Sequence, residues 1–119
     1  MVNTVILLGY LRQTPVLSHT QHGTPYTVLI VETERTWRDT TGEKHTEREI
    51  HPVQIWRALA EACSQYLREN QLVSIAGRLH THTWEDDQQV QHQRTTVIAE
   101  QVRFLPHYHP AGHKPAPVR

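Results

Sequence analysis

Apolar residues alternate along most of this chain and recur at helical spacing in one stretch only. "NTVILLGYL" (Asn3–Leu11) is apolar on both parities, which predicts a first strand covered on both faces, as in a closed barrel. "QHGTP" then predicts a turn, and "YTVLIVETERTW" (Tyr26–Trp37) a long second strand. "RDTTGEKHTE" is polar around Gly42 and reads as a flexible hairpin tip. "REIHPVQIW" (Arg48–Trp56) predicts a third strand, with Val53 and Ile55 on one side and Gln54 and Trp56 on the other. Pro52 has no N–H to give to a ladder, so it belongs at an edge or a bulge. In "ALAEACSQYLREN" (Ala58–Asn70), Leu59, Ala62, Cys63, Tyr66 and Leu67 form an amphipathic stripe, with Asn70 as the stop. "LVSIAGRLHTHTW" and "QRTTVIAEQVRFL" predict the fourth and fifth strands, joined by the polar "EDDQQVQH". No internal repeat is evident.

Five strands with a single helix between the third and fourth is the order of an OB-fold barrel, an all-β class. The barrel is expected to span residues 1–105. From Pro106 the tail "PHYHPAGHKPAPVR" holds four prolines without periodicity and is expected to be disordered. A chain of 119 residues suits one hydrophobic core. No apolar run approaches the ~20 residues of a membrane span. The opening segment has neither a positive leader nor a small-residue cleavage site, so it reads as a strand and not as a signal peptide. The single cysteine, Cys63, excludes an intramolecular disulfide and fits a reducing cytosol, and its place on the helix stripe makes it a packing residue. Twelve basic residues balance twelve acidic ones, so net charge points to no partner. Ten of the twelve cations are arginine, which pairs with phosphate and stacks on planar groups.

The fourth strand carries the most suggestive pattern. Residues i and i+2 of a strand share a face about 6.6 Å apart. Val73, Ile75 and Leu79 are therefore expected inside the barrel. Arg78, His80, His82 and Trp84 are expected outside, unless a bulge at Gly77 shifts the parity. An outward tryptophan needs a cover. Nucleotides would supply one, since rings stack on bases and arginine follows phosphates. A neighbouring hairpin would also cover Trp84 and leave the histidines merely solvated. Trp37, beside Arg35 and Arg38, and Trp56, beside Arg57, likewise stand at strand ends. Basic and aromatic residues interleaved on such a barrel point to single-stranded nucleic acid.

These segments resemble the bacterial-type single-stranded DNA-binding proteins. "NTVILLGYLRQTP" is similar to that family's opening strand and turn, "HTEREIHPVQIWRALAEACSQYL" to its third strand and helix, and "LVSIAGRLHTHTWED" to its fourth strand and tryptophan-bearing hairpin. The likeness runs from Val2 to Leu105. It implies an OB fold, a homotetramer, and sequence-independent binding of single-stranded DNA in replication, recombination or repair, in the cytoplasm at the nucleoid. It also implies that Trp37, Trp56 and Trp84 stack bases, that Arg38 is a basic contact and that His51 lies near subunit contacts. Ile50 falls where the family usually has another tryptophan. Pro52, Ala58 and Glu69 stand at commonly basic positions, His80, His82 and Thr83 replace a basic cluster, and Tyr10 replaces an asparagine. The end "PAPVR" is not the family's short acidic, apolar tip, so recruitment of replication enzymes through such a tip is not expected.

Two other readings remain open. A dimeric primosomal OB protein tolerates proline at the Pro52 position but has a less regular helix. A zinc module could use His80 and His82, with His107 and His109 as further ligands. No motif supplies a catalytic base, and Asp86 and Asp87 read as solvated tip residues. No enzymatic activity, cofactor or metal is expected. Histidine changes charge between pH 5 and 8, so His80 and His82 should strengthen DNA binding in mild acid.

Overall fold

The computed structural model describes residues 1–109. Its elements, in chain order, are β1 (Val5–Leu11), β2 (Ser18–His19), β3 (Pro25–Arg38), β4 (Lys44–Trp56), α1 (Arg57–Tyr66), β5 (Gln71–Glu85) and β6 (Gln91–Tyr108). The five predicted strands are β1, β3, β4, β5 and β6. The two-residue β2, which pairs with the start of β3, is too short to leave a periodic trace in sequence.

Strand pairing closes a ring. β1 lies against β5 from Val5 to Tyr10 and against β3 at Tyr10 and Leu11. β5 pairs with β6, β6 with β4, and β4 with β3. All these pairings are antiparallel except the short parallel contact of Val53 and Gln54 with Val97 and Ile98. This is the closed five-stranded OB arrangement expected from the order of elements. Two glycines sit where strands approach too closely for a side chain. A Cβ on Gly9 would run into the Glu32 carbonyl, and one on Gly77 into the Ile98 carbonyl.

Alternation fills the barrel. Leu11, Leu29, Val31, Val53, Ile55, Val73 and Ile75 are buried inside it, with Ala60, Cys63 and Leu67 of the helix segment and Ala99 of β6. Burial pushes the Cys63 thiol up to about 11, which suits a packing residue. The helix is shorter than its predicted span of Ala58–Asn70. It ends at Tyr66, Leu67 turns extended, and Asn70 takes a left-handed φ of 70° in the turn into β5. Tyr66, expected on the buried stripe, is exposed. Pro52 sits opposite Ile30, just before the short β4–β6 contact, on a stretch of β4 paired only with β3. That edge position needs no second ladder.

Two corrections concern lengths. Half of the expected tip Arg38–Glu47 is strand, because Asp39 closes the turn within Asp39–Glu43. β6 runs past Pro106, where the tail was expected to start. Tyr108 pairs with Gln71, the His109 amide donates to the Asn70 carbonyl at 3.1 Å, and the His109 ring lies 3.6 Å from that of Tyr10. The rest of the expected tail, residues 110–119, lies outside the described residues.

Candidate nucleic-acid interface

β3–β4 and β5–β6 are longer than the barrel they help to build and leave it as two-stranded arms. In the first, pairing continues without interruption from Tyr26–Trp56 to Arg38–Lys44. In the second, it continues past Gly77 and Ala99 to Glu85–Gln91. The register does shift between Ala76 and Gly77, but Glu100 of β6 is the extra residue. β5 therefore keeps its alternation, and Arg78, His80, His82 and Trp84 share one face as expected. Leu79 does not go inside, since β1 covers β5 only as far as Gly77, opposite Val5. It is exposed, and its backbone is bracketed by the Asn3 side chain, which accepts from Leu79 N–H at 2.9 Å and donates to its carbonyl at 2.8 Å.

Each arm presents a tryptophan near its tip. Trp84 is 42% exposed and lies between two imidazoles, with ring centroids 5.5 Å from His82 and 5.4 Å from His92 and interplanar angles of 18° and 21°. Trp37 is 37% exposed, stacks on His45 at 5.5 Å and 23°, and has the Arg35 guanidinium 4.5 Å from its centroid. These are offset stacks that leave ring surface free, together with a cation–π contact. Behind Trp84, cross-strand pairing adds Arg94 opposite His82 and His92 opposite the tryptophan itself. The face is thus wider than β5 alone suggests.

The same local chemistry builds both tips. Asp39 Oδ1 accepts from Thr41 N–H at 2.9 Å, the Thr41 hydroxyl at 2.6 Å and Glu43 N–H at 3.0 Å, while Oδ2 accepts from His45 Nε2 at 2.8 Å. Asp86 Oδ1 accepts from the amides of Gln88 and Val90 at 2.9 Å each, and Oδ2 from His92 Nε2 at 2.7 Å. Such Asx turns satisfy tip amides that no strand partner reaches. Hydrogen bonds to the charged form lower a carboxyl's pKa. Asp39 is held at about 2, first by the Thr41 hydroxyl and then by His45. Asp86 is held below its ordinary value, first by His92 and then by the Val90 amide. Trp-x-Asp followed six residues later by His occurs at 37, 39 and 45 and again at 84, 86 and 92. That repeat was legible in sequence as a spacing, but its first member straddled the stretch read as a flexible tip. His45, His92 and Arg94 were missed with it.

The other expected residues are dispersed. Trp56 lies at the opposite end of the β3–β4 ribbon from Trp37, half-buried, with its ring 5.3 Å from that of Tyr26 and its N–H donating to Gln54 Oε1 at 3.4 Å. Arg57, exposed, opens α1 with a left-handed φ of 61°. The Arg38 guanidinium donates to the Gly42 carbonyl at 2.9 Å and so braces the tip. His51 shares a hydrogen bond of 2.8 Å with the Thr33 hydroxyl and lies 3.9 Å from the Glu49 carboxylate. As zinc ligands, His80 and His82 find no third metal-ligating side chain among the described residues. The trio that does converge there is Asp39, Glu43 and His45, and His45 is already tied to Asp39. No described helix is long and apolar enough to cross a membrane.

The family model of the single-strand binding protein family matches residues 2–105. The chain belongs to that family. A curated relative from Caldanaerobacter subterraneus subsp. tengcongensis, named single-stranded DNA-binding protein, is 37% identical over 105 residues, covering 88% of this chain and 69% of the relative. Among solved structures, the wild-type single-stranded DNA binding protein from Thermus aquaticus superposes with a TM-score of 0.75 at 27% identity, covering 87% of this chain. A deletion mutant of the same Thermus protein gives 0.76, also at 27% identity and 87% coverage. This chain spans half the length of either Thermus chain, at 50%. A Plasmodium falciparum SSB in complex with ssDNA gives 0.75 at 24% identity, with 88% of this chain and 96% of that one covered, and it shares the fold.

Proposed function

We propose that this chain binds single-stranded DNA without sequence preference, as its family does, and acts by binding alone in replication, recombination or repair. The observation that carries the reading is the pair of arms, each with an exposed tryptophan flanked by flat or cationic groups. Bases stack on Trp37, Trp84 and, at the far end of the ribbon, Trp56. Arg35, Arg78, His80 and His82 follow the phosphates, with Arg38 and Arg57 at the tip and corner. Stacking tolerates any base because every base has a π-face. The protein works where genomic single strands arise, in the cytoplasm at the nucleoid.

The partner on the other side is a second copy. Ile6 and Leu8 of β1 are 73% and 58% exposed, an apolar row that one barrel leaves uncovered. Pairs built on β1, with His51 near the contact, assemble into a homotetramer. Fluorescence anisotropy with labelled oligothymidine and a duplex of equal length tests the binding claim, with tighter binding of the single strand expected. Equal affinities would reject it. Light scattering at micromolar concentration tests assembly, and a monomer would reject it.

A further inference from the structure

The arms share more than a tryptophan. In each, the tip backbone anchors one oxygen of an aspartate, the other oxygen accepts from an imidazole at 2.8 or 2.7 Å, and that imidazole lies on the indole. We propose that His45 and His92 are positioning residues for DNA binding: each fixes its tryptophan as a base-stacking platform, and its charge sets how tightly that platform holds a base. This rests on the single-strand reading above.

An indole at the end of a two-stranded arm has little around it to select one rotamer. Whatever order it lacks before binding must be supplied by the DNA, at a loss of affinity. The linkage from tip amides to aspartate, imidazole and indole supplies that order beforehand. Imidazole suits the position because it is flat enough to stack, can donate to the carboxylate and can take up a proton near neutrality. An imidazolium adds a cation to the face of the ring.

The surroundings of the two histidines are compatible with that step. His45 is met by Asp39 and Glu43 from the tip and by Trp37 with Arg35 from β3, and Glu47, opposite Arg35, is two residues along its own strand. His92 is met by Asp86 from the tip and by Trp84 from β5, with His82 also stacked on that indole. Arg94, opposite His82, is two residues along. Both aspartates are held below their ordinary range and stay ionised from pH 8 to 6. Proton uptake by either histidine therefore makes an imidazolium–carboxylate pair without breaking the hydrogen bond.

The test is the pH profile of oligothymidine affinity from pH 8 to 6 for wild type and for two double variants, His45→Phe/His92→Phe and His45→Ala/His92→Ala. Phenylalanine can stack on the indole but cannot be charged or bond the aspartate. Wild type should tighten by about two- to five-fold per arm more than the phenylalanine variant over this range, the worth of one exposed cation–π contact. At pH 8 the phenylalanine variant should recover affinity that the alanine variant has lost. Identical pH profiles for wild type and the phenylalanine variant, or equal weakness of both variants at pH 8, would overturn the proposal while leaving the preference for single strands intact. Loss of that preference in wild type would instead overturn the underlying reading. A DNA-free measurement addresses positioning alone. In Trp56→Phe/Trp84→Phe protein, Trp37 is the sole indole, and its emission should titrate between pH 8 and 6 and cease to do so once His45→Phe is added. A flat emission profile in the parent variant would contradict the contact.

Discussion

The β3–β4 and β5–β6 arms end in the same turn but differ in how the tryptophan relates to the barrel beneath it. Trp37 stands on the parity that, lower on β3, points Leu29 and Val31 into the core. Trp84 stands on the opposite kind of face, the outward one shared with Arg78. Both are exposed all the same. Inside and outside have meaning only while a strand has something to cover, and both arms run past that point. The flanking groups differ as well. The first arm carries the permanent cations Arg35, Arg38, Lys44 and Arg48, though Arg48 is paired with Glu34 at 3.2 Å. The second has Arg78 and Arg94 with three titratable rings, His80, His82 and His92. Both arms should therefore tighten in mild acid through the histidine on the indole, His45 in the first and His92 in the second, and the second should tighten more because His80 and His82 add to it.

The greatest loss of stability is expected at the foot of the second arm. Gly77→Ala would drive a Cβ into the Ile98 backbone, so urea unfolding should show a loss of about 3 kcal/mol or more, the upper range for overpacking. Next come the platforms. Trp84→Ala and Trp37→Ala should each weaken oligothymidine binding by about 1–3 kcal/mol, the worth of one stacked base, measured by anisotropy at fixed salt. A large loss in one arm only would break the symmetry claimed for them.

The tips offer a smaller and opposite pair of changes. Gly42 and Gln89 occupy the same place, each donating its amide to the carbonyl of the tip aspartate at 3.0 Å, with φ of 85° and 62°. Left-handed backbone strains a residue with a Cβ by about 1–2 kcal/mol. Gln89→Gly should stabilise the fold by up to about 1 kcal/mol and Gly42→Gln should destabilise it by a similar amount, read from urea midpoints. Acid should leave both tips closed at first. A depressed carboxyl stabilises the fold above its unfolded pKa and ceases to do so as pH falls through the folded one. For Asp39 that loss falls between 3.8 and about 2.

The smallest effect separates the arms by salt. Lowering pH from about 8 to 6 should steepen the salt dependence of affinity by roughly 1.4 if His80 and His82 both engage phosphate. His80→Gln/His82→Gln should abolish that change. An unchanged steepening in the variant would assign it to other groups.

The legible parts of the fold were those with a covered face. Val73 and Ile75, Val53 and Ile55, and Cys63 and Leu67 of the helix stripe announced themselves by periodicity and are buried, whereas Tyr66 at the end of that stripe is not. The arms were harder to read because polar residues occupy both faces. Lys44–Glu47 looked like loop for that reason, and Leu79 looked like core because alternation says nothing about where a barrel stops. Pro106 looked like a breaker, yet β6 carries on to Tyr108 through pairing that only the folded chain provides. Of the candidate site, the tryptophans and the face of β5 were readable. The histidines that flank the indoles across the strand were not, since cross-strand neighbours depend on register.

If both arms stack bases, the emission of a single remaining tryptophan on each arm will report it. Trp56→Phe/Trp84→Phe protein reports on Trp37 alone, and Trp37→Phe/Trp56→Phe protein on Trp84 alone. Oligothymidine should quench each saturably, and duplex of the same length much more weakly. Emission from either indole that stays unchanged while the oligonucleotide binds would contradict it.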